Sequence, residues 1–222
     1  MKKIIAIVLA VSSFFFLTVS NVLAEWSAGI SASHGLYRAS GSETQEGDSE
    51  KNALTGEEGL FTYPSIFLEY NLGRVSLGLD VIPGSITTEE TTRTDSGVGD
   101  NGLTTGNDTN VTNKVSVRLS RHVSLYALVP ITDIGTFARV QIIRVDVETK
   151  EVLGTGSKYP DTNMTGASLS LGYQHDTDGV FIRAEVGYTD YERITVTASN
   201  TANKVDADVD GAWARISIGH TF

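Results

Sequence analysis

Seven charged side chains sit where a strand-like alternation would turn them to a common interior: Glu69, Asp80, Arg118, Arg139, Arg183, Glu185 and Arg215. Their chemistry is set by enclosure. An unpaired buried charge is very costly, so acids and bases of both signs in one narrow space are expected to pair. Two functions fit such a set. One is a narrow or gated ion path. The other is a polar plug that packs the interior and holds it shut. None of the seven is expected to be catalytic.

Other candidate motifs carry less. Asp206, Asp208, Asp210 and Gly211 imitate the start of a calcium loop, but the twelfth position is Ser217 rather than Glu and no helical pattern flanks the segment. Gly154-Thr155-Gly156 precedes no helix, so it is no phosphate cradle. The histidines His34, His122, His175 and His220 are scattered. His34 beside a serine could imitate a hydrolase pair, but no catalytic motif surrounds it. No cofactor or metal is expected, although weak divalent binding by the acidic loops stays open. There is no basic patch and the formal charge is -10, so nucleic acid is not an expected partner.

The elements that must position the seven charges alternate with period two. The clearest runs from Gly211 to Phe222. Ala212, Ala214, Ile216, Ile218, His220 and Phe222 share one face; Trp213, Arg215, Ser217, Gly219 and Thr221 share the other. The spacing predicts seven further strands, at about 26–37, 63–72, 75–83, 112–129, 137–147, 165–173 and 180–196. On the first, Ser27, Gly29, Ser31 and Ser33 form a face too small and polar for a soluble core. On the fourth, Val115, Val117, Leu119, Val123, Leu125, Ala127 and Val129 share one parity, which favours one long strand over a hairpin at Arg121-His122. The fifth pattern breaks near Ile143-Arg144, where a bulge is expected. Long polar connections at 39–58, 84–111, 148–163 and 199–209 alternate with short turns. The longest, 84–111, is expected to be mobile.

Residues 1–24 read as a secretory leader: Lys2 and Lys3, then an apolar stretch, then Val22-Leu23-Ala24 before Glu25. Its removal takes the formal charge to -12. Residues 25–222 are then one domain. No cysteine occurs, which excludes disulfide and thiol chemistry. Mean hydropathy is near zero, which fits either a soluble β protein or a membrane barrel with apolar residues at every second position.

The GAWARISIGHTF stretch, with its Phe222 after alternating apolar residues, resembles the C-terminal signature of bacterial outer-membrane barrels. With the leader and the alternation of long and short connections, the chain resembles the small eight-stranded barrels of the OmpA transmembrane-domain and opacity-protein type, often called porin-like. The resemblance implies an all-β, antiparallel, up-and-down eight-stranded transmembrane β-barrel with both mature termini periplasmic. It implies a structural or weakly porin-like role in a Gram-negative outer membrane, without enzymatic activity. The alternatives are an adhesin or receptor acting through its loops, and a soluble lipocalin-like periplasmic carrier. The implied partners are outer-membrane lipid and lipopolysaccharide, an extracellular ligand at the loops, and the barrel-assembly machinery, which would read Ile216, Ile218 and Phe222. Trp26, Tyr70, Tyr173, Tyr188 and Phe222 are expected to form the turn-side aromatic girdle.

Overall fold

The computed structural model describes residues 25–45, 51–98, 109–153 and 156–222. The proposed leader at 1–24 lies outside these residues. Eleven strand segments are described: β1 (Glu25–Thr44), β2 (Lys51–Leu72), β3 (Val75–Val81), β4 (Ser85–Thr87), β5 (Thr91–Val98), β6 (Thr109–Pro130), β7 (Thr136–Val152), β8 (Thr162–Thr177), β9 (Val180–Tyr191), β10 (Ile194–Thr197) and β11 (Lys204–Thr221). They make eight staves, because β3, β4 and β5 follow one another along β6, and β9 and β10 follow one another along β11. All neighbours are antiparallel, and β1 pairs with β11, so the ring closes.

The register fixes the dimensions. Gly35 pairs with Trp213, then Gly187, Ser170, Arg139, Leu128, Ser76 and Asn71, and the circuit returns to β1 at Glu25. One turn therefore shifts the register by ten residues. With the usual strand rise and spacing, this tilts the staves about 41° and gives a backbone radius of about 8 Å. Side chains alone can fill a tube of that width.

The two faces differ as period two demands. Ile30, Ile66, Leu79, Leu125, Leu169, Val186 and Ile216 point outward and are exposed. Ser27, Ser31, Ser33, Ser65, Ser124, Ser168, Ser170 and Ser217 point inward and are buried. Inward aromatics sit opposite inward glycines on the adjacent stave: Phe67 against Gly29, Tyr126 against Gly78, Phe137 against Gly172, Phe181 against Gly219. Each ring occupies the space that a side chain on the glycine would need. Five large rings thus fit the narrow tube, with Trp213 over Gly187 as the fifth.

Short connections match the residues present. Asp178 and Gly179 both take positive φ, 51° and 81°, as a type I′ hairpin turn requires. The connections expected as loops are largely strand instead. Residues 39–44 and 51–58 continue the first hairpin, β4 and β5 lie within 84–111, and β11 begins at Lys204. Cross-strand bonding to long neighbours overrides their polar composition; residues 99–108 of the longest connection lie outside the description.

The fourth stave is one strand, with a register shift between Ser120 and Val123 and Arg121 at φ 47°. The bulge therefore lies at Arg121-His122 and not at Ile143-Arg144. Phe137, Arg139, Gln141, Ile143, Val145 and Val147 keep one inward parity through β7. The extra residue on β6 reverses parity above it. Val117 and Leu119 consequently turn inward and pack on Val145, Val147 and Met164, contrary to their expected outward placement.

The third stave breaks for a backbone reason. Leu72 and Val75 flank a two-residue turn and form a hydrogen-bonded pair. The same class recurs at every second pair up to Ile66·Val81, where the ladder ends. The next such pair would be Pro64·Pro83. It needs an N–H from each residue, and proline has none. Above this point β4 and β5 pair with β6, and among the described residues no strand pairs with that edge of β2.

Candidate functional site: the charged layer of the lumen

Six of the seven expected charges meet inside the ring. Glu69, Asp80, Arg139, Arg183, Glu185 and Arg215 are each at most 4% exposed. They come from five staves and carry three positive and three negative charges. Asp80 is central. Its Oδ2 accepts from Arg215 at 3.1 Å, from Ser65 at 3.1 Å and from Arg139 at 3.4 Å. Arg139 also donates to Glu185 at 3.2 Å, and Ser170 donates to the same carboxylate at 3.0 Å. Arg215 donates from Nε to Ser33 at 2.9 Å.

A second group lies beside the first. Arg183 holds Glu69 with two parallel bonds of 2.7 and 3.1 Å, the geometry that makes arginine–carboxylate pairs strong. Tyr126 donates to Glu69 at 2.7 Å, and Gln174 accepts from Arg183 at 2.7 and 3.0 Å. The guanidinium of Arg183 is surrounded by Phe67, Phe137 and Phe181, with ring centroids 4.8 to 5.6 Å away. Arg139 lies 3.5 Å above the Tyr126 ring and joins the two groups. Such faces attract a cation that has lost its water.

Arg118 does not belong to this layer. The Arg121 bulge turns it outward, where it faces Glu148 at 3.9 Å on a half-exposed side chain. Gln174, Ser33, Ser65 and Ser170 face inward, as their parity predicts. Tyr126 was not among the residues expected in the layer, although it shares the inward parity of Ser124 on the same strand. Seen as a polar handle on an inward ring, Tyr126 would have been found.

Outside the membrane-spanning part, Glu148 and Tyr159 have displaced pKa values. Hydrogen bonds from Lys150 and then Ser120 hold the Glu148 carboxyl down at about 2. The Arg118–Glu148–Lys150 cluster therefore persists as pH falls and is lost only near that value. Burial, and then the bond to Glu43, pushes the Tyr159 hydroxyl up to about 12.

The remaining motifs fall on other parts of the barrel. Asp206, Asp208 and Asp210 lie on β11; they accept from Thr195, Arg193 and Tyr188 respectively. His34 points outward and its Nδ1 bonds Thr62, while Ser33 points into the lumen, so the two cannot act as a pair. No cluster of metal-ligating side chains occurs among the described residues. Gly154 and Thr155 lie outside those residues. The Trp26 and Tyr70 rings meet at 4.8 Å with a tilt of 52°, and those of His220 and Phe222 meet at 4.9 Å with a tilt of 47°, at the turn side. Tyr188 is placed differently from its expectation: it is eight residues up from the start of β9, at the opposite end of the apolar belt.

No family model matches the chain, and no curated protein matches it. Solved structures similar to it include the outer membrane protein AlkL in DMPC lipid bilayers, at 12% identity and TM-score 0.49, covering 92% of this chain and 93% of that one. The outer membrane protease OmpT from Escherichia coli gives 9% identity and TM-score 0.48, covering 92% of this chain and 100% of that one. OprG from Pseudomonas aeruginosa gives 15% identity and TM-score 0.43, covering 87% and 96%. The fold assignment rests on the ring itself. With a closed antiparallel ring, an apolar outer face and a charged interior, the chain is an eight-stave, up-and-down transmembrane β-barrel of the outer-membrane type.

Proposed function

We propose that this protein is an exported outer-membrane barrel whose role is structural and non-catalytic, with a lumen that is packed rather than conducting. The observation that carries this reading is the charged layer. Three arginines and three carboxylates neutralise one another across five staves, and aromatic rings fill the space beside them. An open pore would leave such charges to water. Here they bond to each other and tie distant staves together.

A second reading, recognition at the cell surface, is supported by the built structure above the belt. There the barrel continues as two sheets. One contains β2, β1, β11 and β10; the other contains β4, β5, β6 and β7. Loops 156–161 and 198–203 fasten the two on one side. Ser199 donates to the Lys158 carbonyl at 2.7 Å, and Tyr159 and Asn203 both donate to Glu43. In this reading the leader at 1–24 directs export, lipopolysaccharide surrounds the upper belt, and the barrel-assembly machinery reads Ile216, Ile218 and Phe222.

The test of location and closure is gel mobility of detergent-extracted protein, unheated against boiled. The expected result is a boiling-dependent change of mobility in the outer-membrane fraction. Unchanged mobility with the protein in the soluble periplasmic fraction would overturn the reading.

A further inference from the structure

The break at Pro64·Pro83 leaves the upper barrel asymmetric. One side is fastened by the loop bonds to Glu43 and Lys158. The opposite side, between β2 and β4–β5, is a mouth with no ladder across it among the described residues. Even-numbered residues of β2 direct their N–H and C=O groups away from β1, because Leu72·Val75 and each second pair below the break bond toward β3. At Thr62, Leu60 and Glu58 these groups therefore face the mouth. The outward side chains just beyond Pro83 are Ser85 and Thr87, which are exposed. On that stave the mouth opens at water, where a free edge is tolerated, and not in hydrocarbon.

The mouth also has a charge. Glu57 and Glu58 are exposed on β2, and Glu89 and Glu90 are exposed on the link between β4 and β5. Of these, Glu90 is paired to Lys114 at 2.8 Å. We infer that the mouth is a docking site for an extended cationic peptide, which adds as a strand to the free edge of β2 while its basic side chains meet Glu57, Glu58 and Glu89. Main-chain bonds supply the affinity in this mode, and the flanking charges select the partner. This rests on the surface-recognition reading and extends it to a partner chemistry.

The test uses refolded full-length barrel in detergent micelles and a fluorescein-labelled peptide of repeated Lys-Lys-Val-Val, which carries Lys on both faces of a strand. The same repeat with Glu in place of Lys is the control. Binding of the Lys peptide and not the Glu peptide is expected. Leu60→Pro removes an N–H that faces the mouth and leaves the β1 ladder intact, so it should weaken binding about tenfold or more with heat-dependent mobility unchanged. Glu57→Gln with Glu58→Gln should weaken it too and reduce its salt dependence. Equal affinity of Leu60→Pro and the parent, in folded barrels, would overturn the proposal. Equal binding of both peptides would do the same. Saturable binding of oleate in place of the peptide would assign the mouth to apolar molecules and also sink it. None of these failures bears on heat-dependent mobility, which tests the barrel separately.

Discussion

Replacing Asp80 by alanine is expected to lower stability by about 3–5 kcal/mol, the usual cost of removing one partner from a buried ion pair. Asp80 is fully buried and serves two arginines at once. Its removal leaves three guanidinium groups against two carboxylates inside a backbone ring about 8 Å in radius. Urea unfolding of the refolded barrel in micelles, followed by the fluorescence of Trp26 and Trp213, reads the loss. Adding Arg215→Met restores charge balance. The double variant should therefore lose clearly less than the two single losses together, because the residues share one network. An Asp80→Ala midpoint equal to that of the parent would show that the layer does not hold the staves. Additive losses would show that Asp80 and Arg215 act independently.

Deletion of Phe222 is expected to abolish most outer-membrane assembly while leaving export intact. Its backbone N–H donates to the Trp26 carbonyl at 2.8 Å, and its ring is largely exposed beside His220. The residue thus closes the β1–β11 seam at the turn side and presents an aromatic at the interface. Both features are lost together. Fractionation and heat-dependent mobility of the deletion read the result: soluble or degraded periplasmic protein is expected, with the leader removed. Normal amounts of heat-shifted barrel in the outer membrane would contradict the role given to Phe222.

Much of this architecture was legible because a small barrel writes its two environments at every second residue. The last stave is the clearest case: Trp213, Arg215 and Ser217 face in, and Ala214, Ile216 and Ile218 face out. Six lumen charges followed from the same parity. Arg118 did not, because one extra residue at Arg121 reverses every side chain above it, and alternation cannot show which strand of a pair carries a bulge. The apparent break at Ile143-Arg144 was a consequence of composition. Ile143, Val145 and Val147 are apolar and inward, where they meet Val117 and Leu119 turned inward by the bulge on β6. Polar stretches predict loops, but cross-strand bonding above the membrane needs no apolar pattern, and β5 and the start of β11 are strand without one. The break at Pro64 and Pro83 was hidden for another reason. Each proline alone marks a strand end, and only the register shows that they would face one another.

The central claim is that paired charges and rings fill the lumen. Conductance of the reconstituted protein across a planar lipid bilayer tests it most directly. The account predicts no unitary steps from the parent barrel at either polarity. Regular, salt-dependent unitary steps from folded, heat-shifted parent protein would contradict it, and would make the six charges the walls of an ion path.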